Sequence, residues 1–284
     1  MIGEKMLFDA HTHLNFEKFA EEERAERAAE IAASRVGCII DAGDSVASSE
    51  QALRDAEAYP WCFAAVGIHP HMASSTTEAD LGRIRQLAAH PKAVAIGEIG
   101  LDFYYGKDNH EDQEYWFRRQ IRLANELKLP IMIHTRDANQ LTQDILTEEG
   151  AFSDERKSWF PPRPDENGRP VPDARVQLHC YSGSAEQAAD YVRLGATLSI
   201  GGPVTFKNGR KTVEVVQRIP LQYLLSETDA PYLTPEPFRG RPNKSTYVEH
   251  VVRRIALLKG IEMPAAEEIL WMNGVRFFGI KDSI

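Results

Sequence analysis

The stretch Met6-Leu7-Phe8-Asp9-Ala10-His11-Thr12-His13 runs from apolar residues into two histidines one residue apart. In an extended strand, side chains two apart project to the same side, so His11 and His13 can offer two imidazole nitrogens to one cation. A lone His-x-His pair is weak evidence, because histidines satisfied by ordinary hydrogen bonds are common. The form recurs, however. Gly67-Ile68-His69-Pro70-His71 closes one apolar run, Glu98 and Asp102 close another, and His134, His179 and Asp229 stand at the ends of later ones. Imidazole with carboxylate suits Zn, Mn, Fe or Co, and carboxylates also accept Mg. The chemistry implied is metal-assisted hydrolysis.

These residues need elements that bring their strand ends together. Residues 17–34 are rich in Ala, Glu and Arg with no internal Gly or Pro, which predicts a helix. The unit then repeats. Apolar runs at 36–43, 61–68, 93–102, 130–136, 175–180, 196–200 and 222–229 predict buried strands. Stretches at about 48–58, 76–90, 111–128, 137–149, 184–194 and 212–218 predict the helices between them, and two more helices, near 245–259 and 264–278, close the chain. Strands that are apolar throughout belong in a parallel sheet covered on both faces. Roughly eight strand-then-helix units in 284 residues fit an α/β fold, a (β/α)8 TIM barrel with an extra C-terminal helix, read as one domain over 1–284. Such barrels place their active sites at the carboxyl ends of the strands, where His11, His13, His69, His71, His134 and His179 fall. His90, His110 and His250 fall on helices or loops and read as solvated surface residues. Residues 151–174 hold five prolines and no periodicity, so they read as a loop insertion, either a lid or an irregular surface loop.

Composition narrows the function. With 43% hydrophobic residues the chain can bury a core, and no apolar run approaches the roughly 18 residues that cross a bilayer. No signal peptide is visible either, so a cytoplasmic protein without membrane contact is expected. Cys38, Cys62 and Cys180 each sit in an apolar run, which suits buried reduced thiols, and Cys180, pointing opposite to His179, is expected in the core. The formal charge is −9 and the basic residues are scattered along the sequence, which argues against clamping long duplex nucleic acid. A small phosphate-bearing substrate held by metal ions is still compatible.

With the strand ends gathered at one mouth, the candidate ligands are His11, His13, Glu98, His134, His179 and Asp229. They exceed the usual four of a zinc site, so the inventory suggests two divalent ions sharing a carboxylate. Such a pair activates water and stabilises both the attacking and the leaving oxygen.

At this point the chain resembles, along nearly its whole length, the TatD family of metal-dependent deoxyribonucleases within the amidohydrolase-like barrels. The resemblance rests on Phe8-Asp9-Ala10-His11-Thr12-His13-Leu14, Gly67-Ile68-His69-Pro70, Gly97-Glu98-Ile99-Gly100-Leu101-Asp102, the run 129–138 around His134, His179-Cys180-Tyr181-Ser182-Gly183, and Glu227-Thr228-Asp229-Ala230-Pro231-Tyr232-Leu233. It implies a first metal held by His11, His13, Glu98 and Asp229 and a second held by Glu98, His134 and His179. It also implies a 3′ to 5′ exonuclease on single-stranded DNA or 3′ ends, using Mg, Mn or Zn, with no obligate protein partner. Three features depart from the family pattern: the length of 151–174, Trp271 where a small polar residue is usual before Asn273, and the added imidazole of His71.

Both lines of reading give Asp229 the role of base and Glu98 that of bridge. His69 is expected to bind a phosphate oxygen or to orient a ligand. Arg136, on the same side as His134, is expected to pair with phosphate or to make a rim salt bridge. Tyr104 and Tyr105 could stack a nucleobase, although packing at the rim is the plainer reading. The alternative activity keeps the metals and changes the bond, to an amide or ester such as that of a mischarged aminoacyl-tRNA. Arg136 and Lys207 favour phosphate, and a non-catalytic metal-binding barrel is the remaining reading.

Overall fold

The computed structural model describes residues 6–281. The described residues form ten strands, β6 and β7 two residues each and the others short and largely apolar: β1 Leu7–Thr12, β2 Val36–Ala42, β3 Cys62–Val66, β4 Ala93–Asp102, β5 Ile131–Arg136, β6 Arg163–Pro164, β7 Pro170–Val171, β8 Val176–Leu178, β9 Thr197–Ile200 and β10 Leu224–Ser226. Eight of them pair in parallel in the order β1-β2-β3-β4-β5-β8-β9-β10. The ends meet through Asp229 N–H to His11 O at 2.9 Å, His13 N–H to Ala230 O at 2.8 Å and the Ser226 hydroxyl to Phe8 O at 2.8 Å. The fold is a (β/α)8 TIM barrel. Among the described residues no helix is long and apolar enough to cross a membrane.

Two apolar clusters hold the layers. The larger one packs the strands against the outer helices, and the smaller one, with Phe8, Ile40, Met132, Leu225, Phe277 and Phe278, fills the barrel interior. The final helix, Met263–Phe278, supplies part of that interior. Phe278 stacks on Phe8 at 5.9 Å, and Asn273 Nδ2 donates to Leu221 O and Leu224 O at 2.8 Å, tying the helix to the start of β10. It therefore plugs the amino-terminal face and leaves the carboxyl ends of the strands as the open mouth. Trp271 packs edge-on against Phe8 at 5.8 Å, part of the same plug.

Residues 151–174 are not a lid. They form a short helix, Asp154–Ser158, and the antiparallel hairpin of β6 and β7, held beneath the barrel by two fully buried arginines. Arg156 donates to Ala174 O, Asn125 Oδ1 and Leu129 O at 2.8 Å, and Arg163 donates to Thr197 Oγ1 at 2.9 Å and pairs with Asp173 at 3.1 Å. These partners precede or begin β5, β8 and β9, on the face opposite the histidines. A buried carbonyl without a donor is costly, and the guanidinium forks satisfy several at once.

Candidate metal centre

Glu98, 4% exposed on β4, is the hub. Its two oxygens face different groups of imidazoles. Oε2 lies 3.5 Å from His11 Nε2 and 3.7 Å from His13 Nε2. Oε1 lies 2.9 Å from both His134 Nδ1 and His179 Nε2, and 3.6 Å from His69 Nε2. Asp229 Oδ1 stands 3.6 Å from His11 Nε2 and 3.5 Å from His13 Nε2, whose own nitrogens are 3.1 Å apart.

Those separations test whether a cation fits. Ligands about 2.1 Å from a tetrahedral zinc lie about 3.4 Å from one another, and His11, His13, Glu98 and Asp229 are spaced 3.1 to 3.7 Å. Around the other oxygen, Glu98 Oε1, His134 Nδ1 and His179 Nε2 are 2.9, 2.9 and 3.3 Å apart, near the edge of about 3 Å expected around an octahedral ion. The donor sets fit divalent cations on both sides of Glu98. A further buried grouping, His11, His179 and Glu227, also has metal-ligand spacing.

Local structure explains how the side chains arrive there. Phe8 faces the interior cluster, and strict alternation would turn His11, three residues on, the other way. The β1 and β2 pairing slips register between Asp9 and Thr12, and this irregularity brings His11 and His13 inward. Gly100, with φ of +147°, is paired with His134, and a Cβ there would meet the His134 carbonyl oxygen. Only glycine allows β4 and β5 so close beside Glu98. Asp229 has φ of +55°, and the segment before it is tied to β1 by Asp9, whose oxygens accept from Thr228 N–H at 2.8 Å and the Thr228 hydroxyl at 2.6 Å. Burial pushes the Asp9 carboxyl up to about 7.

Outer partners fix which nitrogen of each ring faces Glu98. His13 Nδ1 donates to Ala42 O at 2.9 Å and His134 Nε2 donates to Asp102 Oδ2 at 3.2 Å, so the opposite nitrogen of each ring faces inward and is the one a cation would take in place of a proton. His179 Nδ1 faces Glu227 Oε1 at 3.6 Å, while Glu227 is held by Cys180 N–H at 2.5 Å and by the Ser199 hydroxyl. His11 stacks on His179 at 3.9 Å. His69 differs: its Nδ1 accepts from His71 N–H at 3.2 Å, so in the neutral ring Nε2 carries the hydrogen.

Charge is concentrated among buried side chains. Burial opposes the Glu98 anion, but the surrounding imidazoles, His179 first, hold its carboxyl well below the usual range. Burial likewise opposes His13, yet Asp229 and Glu98 bring it up to about 9. His11 and His69 are pushed well below the ordinary value by burial and remain neutral.

The other expected residues take different places. Arg136 is exposed at the rim, its guanidinium 4.1 Å over the Tyr104 ring and 4.7 Å over Tyr105, and it makes no ion pair among the described residues. His71 is half-exposed and reaches Asp102 Oδ2 at 3.2 Å. Lys207 is exposed and away from Glu98, in the loop after β9. Cys180, expected in the core, is only partly covered, because it lies beyond β8 in a turn with φ of +42°. His110 is not simply solvated: it stacks on Phe103 at 3.6 Å. Sequence reasoning missed Glu227 and Asp102 as orienting groups. The signal was present, since Asp102 ends the strand beside that of His134, and Glu227 follows a strand end whose reach extends past β9 to His179.

A family model described as TatD related DNase matches residues 8–279. A metal-dependent hydrolase of Bacillus subtilis, YabD, described as uncharacterized, is 42% identical over 278 residues, spanning 97% of this chain and all of that protein. A protein of Escherichia fergusonii named 3′-5′ ssDNA/RNA exonuclease TatD is 32% identical over 280 residues, 97% of this chain and 100% of that one. The crystal structure of YJJV, a TatD homolog from Escherichia coli K12, superposes with a TM-score of 0.84 at 28% identity, covering 98% of this chain and 99% of the other.

Proposed function

The chain belongs to the TatD-related DNase family of metal-dependent hydrolases, and from that premise we propose that it is a two-metal 3′ to 5′ exonuclease that cleaves single-stranded DNA in the cytoplasm. The observation that carries this reading is the division of Glu98, with one oxygen facing His11 and His13 and the other facing His134 and His179. His11, His13, Glu98 and Asp229 would hold one divalent cation, and Glu98, His134 and His179 the other. Two such ions, Zn, Mn or Mg, supply Lewis acidity and an activated water for attack on phosphorus.

The chain's own groups do the rest. Asp229, its side chain 13% exposed at the mouth, takes the proton from the attacking water. His69, neutral and protonated at Nε2, donates that hydrogen to a non-bridging phosphate oxygen. Arg136, stacked on two tyrosines and free of a carboxylate partner, neutralises the adjacent phosphate, and Tyr104 or Tyr105 stacks the terminal base. The exonuclease names of relatives near 32% identity support the nucleic-acid substrate. Three free cysteines suit a reducing compartment.

The test is hydrolysis of 3′-labelled single-stranded DNA by metal-free protein reloaded separately with Mg, Mn or Zn. Stepwise release of mononucleotides, lost in Asp229→Asn, is the expected result. No cleavage with any metal, from protein shown to bind two ions, would overturn the reading in favour of an amide or ester substrate. Unchanged activity and metal content in Asp229→Asn would remove that residue's role as base.

A further inference from the structure

Cations scattered along the sequence converge in space on one flank of the mouth. The loop that follows β9 and the loop that follows β10 touch: Glu236 N–H donates to Thr205 Oγ1 at 2.9 Å, and Gly202 packs directly on the Leu233 carbonyl. Between them and the helix Val248–Lys259 lies an open cleft lined by Phe206, Lys207, Arg210, His250, Arg253 and Arg254. Arg239 reaches the same place, its guanidinium 3.8 Å over the Phe206 ring.

The state of these charges is unusual for this chain. Many other exposed arginines are matched by acids, as in Arg119 with Glu78, Arg122 with Glu149 and Arg218 with Glu186. Lys207, Arg210 and Arg239 are exposed and make no ion pair among the described residues, in a protein of net charge −9. Arg253 is paired with Glu249 at 2.8 Å, and among the described residues Glu236 is the one carboxylate lining the cleft. Aromatic rings lie among the cations: Phe206 beneath Arg239, and Phe238 stacked on Tyr247 at 4.4 Å and edge-on to His250 at 5.1 Å. Unpaired cations interleaved with aromatic rings match a backbone of phosphates carrying flat bases. Tyr232, on the same loop after β10 as Glu236 and Arg239, is half-exposed, with its ring 6.2 Å from that of His13.

We propose that this cleft is a track for a single nucleic-acid strand, holding the nucleotides upstream of the one being removed. The inference rests on the exonuclease reading above and adds to it a site separate from the metal centre. It assigns Lys207, Arg210 and Arg239 to phosphates several nucleotides from the scissile bond, so they matter only when the substrate is long enough to reach them.

The experiment compares a dinucleotide with a sixteen-residue oligothymidylate, using metal-loaded wild type and the triple variant Lys207→Glu, Arg210→Glu, Arg239→Glu, with the triple alanine variant as a milder control. Expected are an unchanged kcat and KM on the dinucleotide and a KM on the long strand raised about tenfold or more. The dependence of log KM on log salt should flatten by about two to three. An unchanged KM on the long strand, or equal losses on both substrates, would overturn the proposal. If wild type cleaves neither substrate, the exonuclease reading has failed, and the cleft is judged by fluorescence anisotropy of the labelled sixteen-mer. Binding that the variants lose supports the track. Equal binding by wild type and variants, or equally tight binding of polyglutamate to wild type, overturns it.

Discussion

Asp102 and His134 form a fixed pair: the carboxylate accepts the His134 Nε2 hydrogen at 3.2 Å and so turns Nδ1 toward Glu98 at 2.9 Å. The carboxylate is itself anchored, since its other oxygen accepts Tyr104 and Tyr105 N–H at 3.0 and 2.9 Å. Asp102→Asn keeps an acceptor for those amides but weakens the hold on the ring. Metal affinity at the His134 side is expected to fall about 10- to 100-fold, measured by calorimetric titration of metal-free protein, with little change in thermal stability. Unaltered affinity would mean that His134 needs no such orientation.

Glu98→Gln replaces the carboxylate that stands between the two groups of histidines with a neutral amide. Bound metal should drop from about two ions to one or fewer per chain and turnover by at least about 10³-fold, as read by elemental analysis after desalting and by nuclease assay. Retention of both ions would show that Glu98 does not bridge them.

The segment 151–174 is expected to act on stability and not on catalysis. Arg156→Ala leaves the carbonyls of Leu129 and Ala174 without their donor in a buried place, a loss of about 3 kcal/mol or more. The expected outcome is a melting temperature lower by several degrees with unchanged kcat and KM below it. A changed KM at intact stability would return this segment to a role over the substrate.

A pH effect arises away from the metal centre, at Asp41 and Asp55. Burial, then the neighbouring carboxyl, pushes Asp41 well above its usual value, and Asp55 is also raised, chiefly by burial. Asp41 Oδ2 and Asp55 Oδ2 are buried without a hydrogen-bond donor, and Arg24 Nε, 3.9 Å from Asp55, is beyond hydrogen-bond reach. A proton on Asp41 removes the repulsion between the two buried carboxyls. Because the folded-state values are raised, this stabilisation is complete at acid pH and is lost as pH rises through them. Thermal melts from pH 5 to pH 9 should therefore fall more steeply for wild type than for Asp41→Asn, by on the order of a few °C. Parallel curves would mean the pair is not protonated.

Periodicity made the barrel legible in the chain. Strands buried on both faces leave continuous apolar runs, and a residue ending such a run lies at the mouth whatever its neighbours, so His69, Glu98, His134 and His179 could be placed from position alone. What stayed hidden depends on contacts between distant segments. The register slip that turns His11 inward needs β2 as a reference, and Glu227 behind His179 needs β8 and β10 set on either side of β9. The prolines and charges of 151–174 resemble an exposed loop until the carbonyls around Arg156 and Arg163 are seen. Likewise, Lys207 and Arg239 lie 32 positions apart, and only the touching loops bring them to one ring, Phe206.

The plug formed by the last helix links the two ends of the chain. Phe8, in the first strand, packs on Phe278 and against Gly274, and His11 and His13 take their backbone partners from Asp229 and Ala230. These contacts have among the largest sequence separations in the molecule, and long-range closure is entropically slow. During synthesis the first two histidines leave the ribosome more than two hundred residues ahead of Asp229 and Phe278. The site around Glu98 therefore matures only after the residues up to Phe278 have been made, and a chain cut before that helix would carry every metal-binding side chain without the plug that closes the barrel beneath them.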